Sequence, residues 1–296
     1  MRFVAFTDIH LHKFPYSNIL EDGRNELFVA GLNIIDQVYD YCEKMKVHSI
    51  FFLGDLFFHR NQIDTDVYCN EVYNKFKTKQ ENSDALSLRF IPGNHDQLDR
   101  KGNHCLAPFE GIKNVSVMNK NDILFANNLS TRIFCCPYTD NLFGLYEFLK
   151  ASNTYDVILC HQLVLNSPAL SGQLFKSGEA LDVNRFKFKA LFAGHNHRPF
   201  FNLDNHVYNI GAPMHHDYGD ANFPNRYFID YDDAREDTVK FIPTKFPLFS
   251  TSNEKINGVK PLYVRKQIKE IKETKAETRI DLTESDGTNN ILSTYI

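Results

Sequence analysis

Five short apolar runs, each the length of a buried strand, end abruptly on Asp, Asn or His. Val4-Ala5-Phe6-Thr7 runs into Asp8-Ile9-His10, and Ile50-Phe51-Phe52-Leu53-Gly54 runs into Asp55. Leu88 to Ile91 stops at Pro92-Gly93, and Asn94-His95-Asp96 follows. Val157-Ile158-Leu159-Cys160 meets His161, and Ala190-Leu191-Phe192-Ala193-Gly194 meets His195-Asn196-His197. A buried strand has no structural use for such residues, whereas a site at the carboxyl edge of a sheet does.

Between the first two runs, Leu27, Phe28, Leu32, Ile35, Val38, Tyr39, Cys42 and Met45 recur at helical spacing. Val67, Val72 and Phe76 mark a second helix before the third run. These strand-helix-strand units imply parallel pairing through right-handed crossovers. The middle of the chain changes character. Val115–Met118, Ile123–Ala126 and Thr131–Cys136 are short runs between Asn-rich turns, which predicts a more antiparallel second sheet. Leu142, Leu145, Phe148 and Leu149 predict one short helix. Phe200–Leu203 and His206–Ile210, joined by Asp204-Asn205, predict a hairpin, and Tyr227–Tyr231 and Thr238–Ile242 add strands. The expectation is an α/β protein of two facing sheets with helices outside.

The pattern weakens past Thr244, where Pro243, Pro247 and Pro261 punctuate a Ser-, Asn- and Lys-rich stretch. The chain therefore divides into a main domain, 1–243, and an extension, 244–296, read either as a solvated appendage packed on the main domain or as a reduced cap or partner-binding segment. Within it, residues 262–275 suit a strand or, through Ile268 and Ile271, a helix.

Composition narrows the class only slightly. At 296 residues, 43% hydrophobic and 24% charged, the sequence has the core material of a soluble globular protein. No apolar stretch approaches the ~20 residues a bilayer span needs. The strand beginning at Arg2 or Phe3 delivers Asp8 to the site, so the start is not expected to be a removable leader. Six cysteines without CxxC spacing read as reduced, packed thiols, which suits the cytoplasm. A net charge of −4 weakens a nucleic-acid reading without excluding it, because two bound divalent ions would bring about four positive charges to the cleft.

Seven donors stand at the strand ends: Asp8, His10, Asp55, Asn94, His161, His195 and His197. Imidazole mixed with oxygen ligands suits Mn, Fe or Zn better than Ca or Mg. Seven are too many for one tetrahedral site but enough for two ions that share a carboxylate. Such a pair can clamp an in-line phosphoryl displacement. His95 is left over beside a presumed ligand and is suited to general-acid work. Asp96 is read as orienting His95 or a neighbouring loop, or as a simple turn former. His59 and Arg60 offer contacts to a substrate phosphate, as does Arg198, against the alternative of exposed loop positions. His12 is read as a supporting or surface residue, and His215 and His216 as loop or interface residues before substrate contacts.

Asp8-x-His10, Gly54-Asp55, Gly93-Asn94-His95-Asp96, His161 and Gly194-His195-x-His197, in this order, resemble the calcineurin-like metallophosphoesterase signature over residues 1 to 243. Gly54-Asp55-Leu56-Phe57, Gly93-Asn94-His95-Asp96 and, more loosely, Asn209-Ile210-Gly211-Ala212-Pro213 resemble its SbcD-type DNA-repair nuclease branch. Protein serine/threonine phosphatases instead carry GDxxDRG and GNHE, which this chain lacks. The resemblance implies a four-layer α-β-β-α sandwich of two mixed sheets. It implies one ion on Asp8, His10 and His197, another on Asn94, His161 and His195, Asp55 between them, and His95 as the catalytic histidine. It also implies Mn as the favoured metal (with Mg, Fe or Zn as alternatives), DNA as substrate, a homodimer, and an SbcC-like coiled-coil ATPase partner. Two departures stand out. The repair nucleases often place a histidine three residues after the bridging Asp, whereas His59 is four after Asp55, and the stretch beyond the core is short for their capping domain and ATPase-binding helices. A small-molecule phosphodiesterase or phosphatase, and a non-catalytic protein-binding scaffold, are the rival readings.

Overall fold

The computed structural model describes residues 1–60, 63–65, 67–83, 85–99, 102–126, 130–250, 255 and 261–264. Strand β1 (Arg2–Phe6) lies inside a six-stranded sheet. On one side it is followed by parallel β2 (Ser49–Phe52), β3 (Ser87–Phe90) and β4 (Val115–Val117). On the other side lie antiparallel β11 (Tyr227–Asp232) and β12 (Val239–Pro243). The second six-stranded sheet runs β5 (Asp122–Ala126), β6 (Thr131–Cys136), β7 (Val157–Cys160), β8 (Ala190–Ala193), β10 (Val207–Asn209), β9 (Phe200–Asn202).

The period-2 alternation of side chains assigns each residue to a layer. On β1, Phe3 and Ala5 face the second sheet, while Val4 and Phe6 face the helices. On β7, Val157 and Leu159 point inward, whereas Ile158 and Cys160 point to the far side. Three buried clusters result: one between the sheets and one outside each. Helix α1 (Glu26–Met45) covers the first sheet with ten buried residues. Its first turn is closed by Asn25, whose side chain accepts the Phe28 N–H, and Lys46 ends it in the left-handed region. A π-helical stretch (Val67–Tyr73) leading into α2 (Asn74–Glu81) buries Val67, Val72 and Phe76 on the same face. Helix α3 (Leu142–Leu149) covers the second sheet. The architecture is therefore the α-β-β-α sandwich of two mixed sheets.

The expectation of a more antiparallel second sheet is corrected. Each sheet has three parallel and two antiparallel junctions. Strand β4 belongs to the first sheet, because the long connection after β3 returns the chain to lie parallel beside it. Only β5–β6 and β9–β10 are antiparallel pairs in the second sheet, the latter being the hairpin expected around Asp204-Asn205. Past Pro243, β13 (Phe249–Ser250) pairs in parallel with β14 (Tyr263–Val264). Phe249 and Tyr263 stack 4.4 Å apart within the outer core of the first sheet. Ile268 and Ile271 lie outside the described residues.

Candidate metal centre

The loops after β1 and β2 are laced together before any side chain is considered. The N–H groups of Asp8, His10 and Leu11 donate to the carbonyls of Gly54, Asp55 and Leu56 at 2.9, 3.1 and 2.8 Å. This lacing holds Asp8 (φ 53°), His10 (φ 50°) and Asp55 (φ 60°) in the left-handed region, and His195 (φ 78°), whose N–H donates to the Asp8 carboxylate, shares it. Non-glycine residues avoid that region unless the surroundings over-determine them, and such strain concentrates at functional sites. The glycines of the motifs serve close approach. A Cβ on Gly93 would strike Asp55 and His161, and one on Gly194 would strike Thr7 and the Leu53 carbonyl.

The eight side chains singled out at the strand ends come together. His10 Nε2 lies 2.9 Å from His197 Nε2, 3.8 Å from Asp8 Oδ1 and 3.6 Å from Asp55 Oδ2. His161 Nε2 lies 3.3 Å from Asp55 Oδ2 and 3.2 Å from Asn94 Oδ1. Three groups present donor atoms within 4.8 Å of one another: Asp8, His10 and His197; His10, Asp55 and His95; and Asp55, His161 and His195. Asp55 belongs to two of them.

Ring orientation is set from behind. His161 donates Nδ1–H to the Leu53 carbonyl at 2.5 Å, which turns Nε2 toward the cluster. His95 likewise gives Nδ1–H to the Phe58 carbonyl at 2.5 Å, and its backbone N–H donates to Asp55 Oδ1 at 2.8 Å. Asp8 accepts from Thr7 Oγ1 and from the His195 N–H, which fixes its carboxylate.

Electrostatics favour cations here. Burial holds His10 well below the ordinary imidazole value, and it lowers His195 to about 3 and His197 to about 4. Two neutral imidazoles meeting nitrogen to nitrogen at 2.9 Å, beside buried carboxylates, form a donor set that fits a divalent ion. Burial would lower His161 too, but the Asp55 carboxylate outweighs it and raises the imidazole to about 9. Burial would raise Asp55, yet the His161 charge and hydrogen bond hold it below the usual carboxylate range. Asp8 is pushed by burial to about 7.

Four supports surround the cluster, and sequence reasoning saw only part of them. The Asp96 carboxylate, fully buried, accepts the N–H groups of Asp55, Leu56 and Gly93 at 2.8, 3.0 and 2.9 Å, pinning the second and third loops together. His216, read as a loop residue, is buried, with its ring 5.4 Å from both His10 and His197. It donates Nε2–H to the Asp8 carbonyl at 3.1 Å. Arg226 is buried against Asp220 and donates to the His197 carbonyl, both at 2.5 Å. Asn209 donates to the carbonyls of Asn196 and Arg198. A polar doublet at 215–216 just after a Gly-Ala-Pro turn was the available signal for His216; Arg226 and Asp220 left none.

The remaining residues lie outside the cluster. His59 is exposed and meets His12 edge-on at 4.6 Å. Arg60 is exposed on the rim of a neighbouring cavity. Arg198 stacks on Phe223 and donates to the Ala169 carbonyl at 3.2 Å. His215 donates to the Phe223 carbonyl and accepts the Phe249 N–H, away from the cluster.

The family model for calcineurin-like phosphoesterases matches residues 1–199. No curated protein matches the sequence. Among solved structures, the chain is similar to a dimetal phosphatase from Danio rerio, at 11% identity and TM-score 0.43, over 77% of this chain and 91% of that one. It is also similar to a putative 5′-nucleotidase from Staphylococcus aureus, at 12% identity and TM-score 0.48, over 87% of this chain and 56% of that one.

Proposed function

This chain belongs to the calcineurin-like phosphoesterase family, and from that premise we propose that it is a two-metal phosphodiesterase that hydrolyses DNA. The observation carrying the reading is the position of Asp55. Its carboxylate lies within reach of His10 on one side and of His161 on the other, so that one side chain serves two donor groups. Asp8, His10 and His197 would hold one ion and Asn94, His161 and His195 the other, with Asp55 between them. Bound there, divalent ions act as Lewis acids on phosphoryl oxygens and make a nucleophile of water near neutral pH.

The protein's own groups do the rest. His95 donates Nδ1–H to the Phe58 carbonyl, so it would act as an imidazolium, whose second proton, on Nε2, goes to the departing sugar oxygen and leaves the neutral Nδ1–H ring. Asp96 keeps the Asp55 and Gly93 backbones fixed, so that His95 and Asp55 hold register during the reaction. The choice of DNA rests on the nuclease-type motifs, as do Mn as the metal, a homodimer and a coiled-coil ATPase partner. A monoester phosphatase or small-molecule diesterase is the second reading, favoured by 37 acidic against 33 basic residues.

One assay separates the two. The purified chain is given linear and single-stranded DNA, bis-nitrophenyl phosphate and nitrophenyl phosphate, with Mn, Mg or chelator. DNA cleavage that needs Mn is the expected result. Monoester turnover with inert DNA ends the nuclease reading, and co-purification with a coiled-coil ATPase tests the partner.

A further inference from the structure

We propose that the cavity beside Tyr138 is a nucleoside subsite, in which the Tyr138 ring stacks on the base of a nucleotide whose phosphodiester lies at the metal centre. The proposal rests on the phosphodiesterase reading and adds the group that is recognised.

The cavity encloses about 510 Å³, within the range of small-ligand sites. It opens where the carboxyl ends of β3, β4 and β6 come together, on the same edge as the metal-facing loops. Tyr138 joins the two places. Its N–H donates to the Pro92 carbonyl at 2.9 Å, and its carbonyl accepts from Gln97 Nε2 at 2.7 Å. The residue is thereby clipped at both backbone groups to the loop that carries Asn94 and His95. Its ring lies 5.3 Å from that of His195 and 6.3 Å from that of His161, and it also lines the cavity. A group seated there is contiguous with one held at the cluster.

The charge of the lining selects what fits. Among the described lining residues, Arg60 and Lys120 are matched by Asp99 and Asp140, so that part of the lining is balanced in charge. A neutral, flat group with donors and acceptors on its edge suits it, and a nucleobase is such a group. Tyrosine supplies the flat face at low cost in side-chain freedom, because few torsions are frozen and the backbone is already fixed. Stacking of this kind is sequence-tolerant, since every base has a π face.

The test compares two diesters that share one scissile bond: thymidine 5′-(4-nitrophenyl) phosphate and methyl 4-nitrophenyl phosphate, with Mn. The wild-type chain is expected to favour the nucleoside ester at least ~10-fold in kcat/KM. Tyr138→Ala and Tyr138→Leu should bring that ratio to within about twofold, while Tyr138→Phe keeps it. The Leu variant fills the space without a π face, so a folding defect in the Ala variant does not decide the outcome. Equal turnover of the two esters by the wild type, or a ratio that survives Tyr138→Leu, overturns the subsite alone. Turnover of neither diester alongside monoester hydrolysis removes the phosphodiesterase reading and the subsite with it.

Discussion

The two sheets have the same plan, three parallel and two antiparallel junctions each, yet they deliver different chemistry to their shared edge. The first sheet brings Asp8, His10, Asp55, Asn94 and His95. The second brings only imidazoles: His161, His195 and His197. All the negative charge in the cluster therefore comes from one side. The first-sheet loops are laced to one another, by Asp8 to Gly54, by His10 to Asp55, and by Asp96 to three amides. The second-sheet loops are instead tied across the gap, by His161 to Leu53 and by His195 to Asp8. The lesson is a division of labour, in which one sheet preorganises the charge and the other closes ligands over it.

Substitutions on the two sides should differ accordingly, and the largest effect belongs to Asp55→Asn. The amide keeps the shape and loses the charge that both donor groups share. Metal analysis should show both ions depleted, with turnover down by well over ~100-fold, beyond the loss typical of groups that merely support a ligand. His161→Ala on the other sheet should deplete one ion and leave the second near full occupancy. Two normally filled sites in Asp55→Asn, or two empty ones in His161→Ala, would break the asymmetry. His95→Ala sharpens it from within the first sheet. Metal content should stay near wild type while turnover falls ~10²- to 10⁴-fold, the range for a lost general acid. Equal loss of metal and turnover would make His95 a ligand.

The strand ends of both sheets were the legible part of the sequence, because continuous apolar runs stop on residues with no use in a core. Val4 to Asp8 and Leu88 to Asn94 announce themselves in that way. The sheet membership of β4 was not legible, because a three-residue strand carries no mark of its partner, and the length of the connection decides the pairing. His216 and Arg226 were hidden for another reason. Their parts depend on contacts with His10, His197 and Asp220 made across long or irregular loops, where no periodicity points inward. Tyr138 looked like one aromatic among many, and its place beside His195 and along the cavity is what distinguishes it.

Stability should echo the same contrast more quietly. Asp96→Ala leaves the Asp55, Leu56 and Gly93 amides buried without an acceptor. Each such amide costs about 1–3 kcal/mol, so a loss on the order of 3 kcal/mol or more is expected in urea unfolding. Asn209→Ala, which frees two carbonyls under the His197 loop, should cost about 2 kcal/mol. A larger loss for Asn209→Ala than for Asp96→Ala would place the rigid side on the second sheet.

The smallest effect is a pH dependence confined to chelator-treated protein. Across the gap between the sheets, His161 gains the Asp55 carboxylate as partner, and its imidazole is raised from the ordinary 6.5 to about 9. A raised imidazole adds stability that is complete below pH 6.5 and is lost as pH climbs through the folded value. Asp8, raised by burial to about 7, acts in the same direction but has titrated by then. His195 and His197, lowered by burial to about 3 and about 4, act in the opposite direction, below pH 6.5. Asp96, likewise raised by burial to about 7, titrates with Asp8, and the buried thiols, pushed up by burial, act only as pH nears their ordinary value of 9. Between pH 7 and 8 His161 therefore governs, and the metal-free protein should lose stability across that window. Under the proposed two-metal reading, a bound divalent ion would take His161 Nε2 as a ligand, and the slope should flatten when Mn is added. His161→Ala should flatten it without metal. A slope that persists in that variant would mean the two sheets are not coupled through the His161–Asp55 pair, and the closing role assigned to the second sheet would rest on His195 and His197 alone.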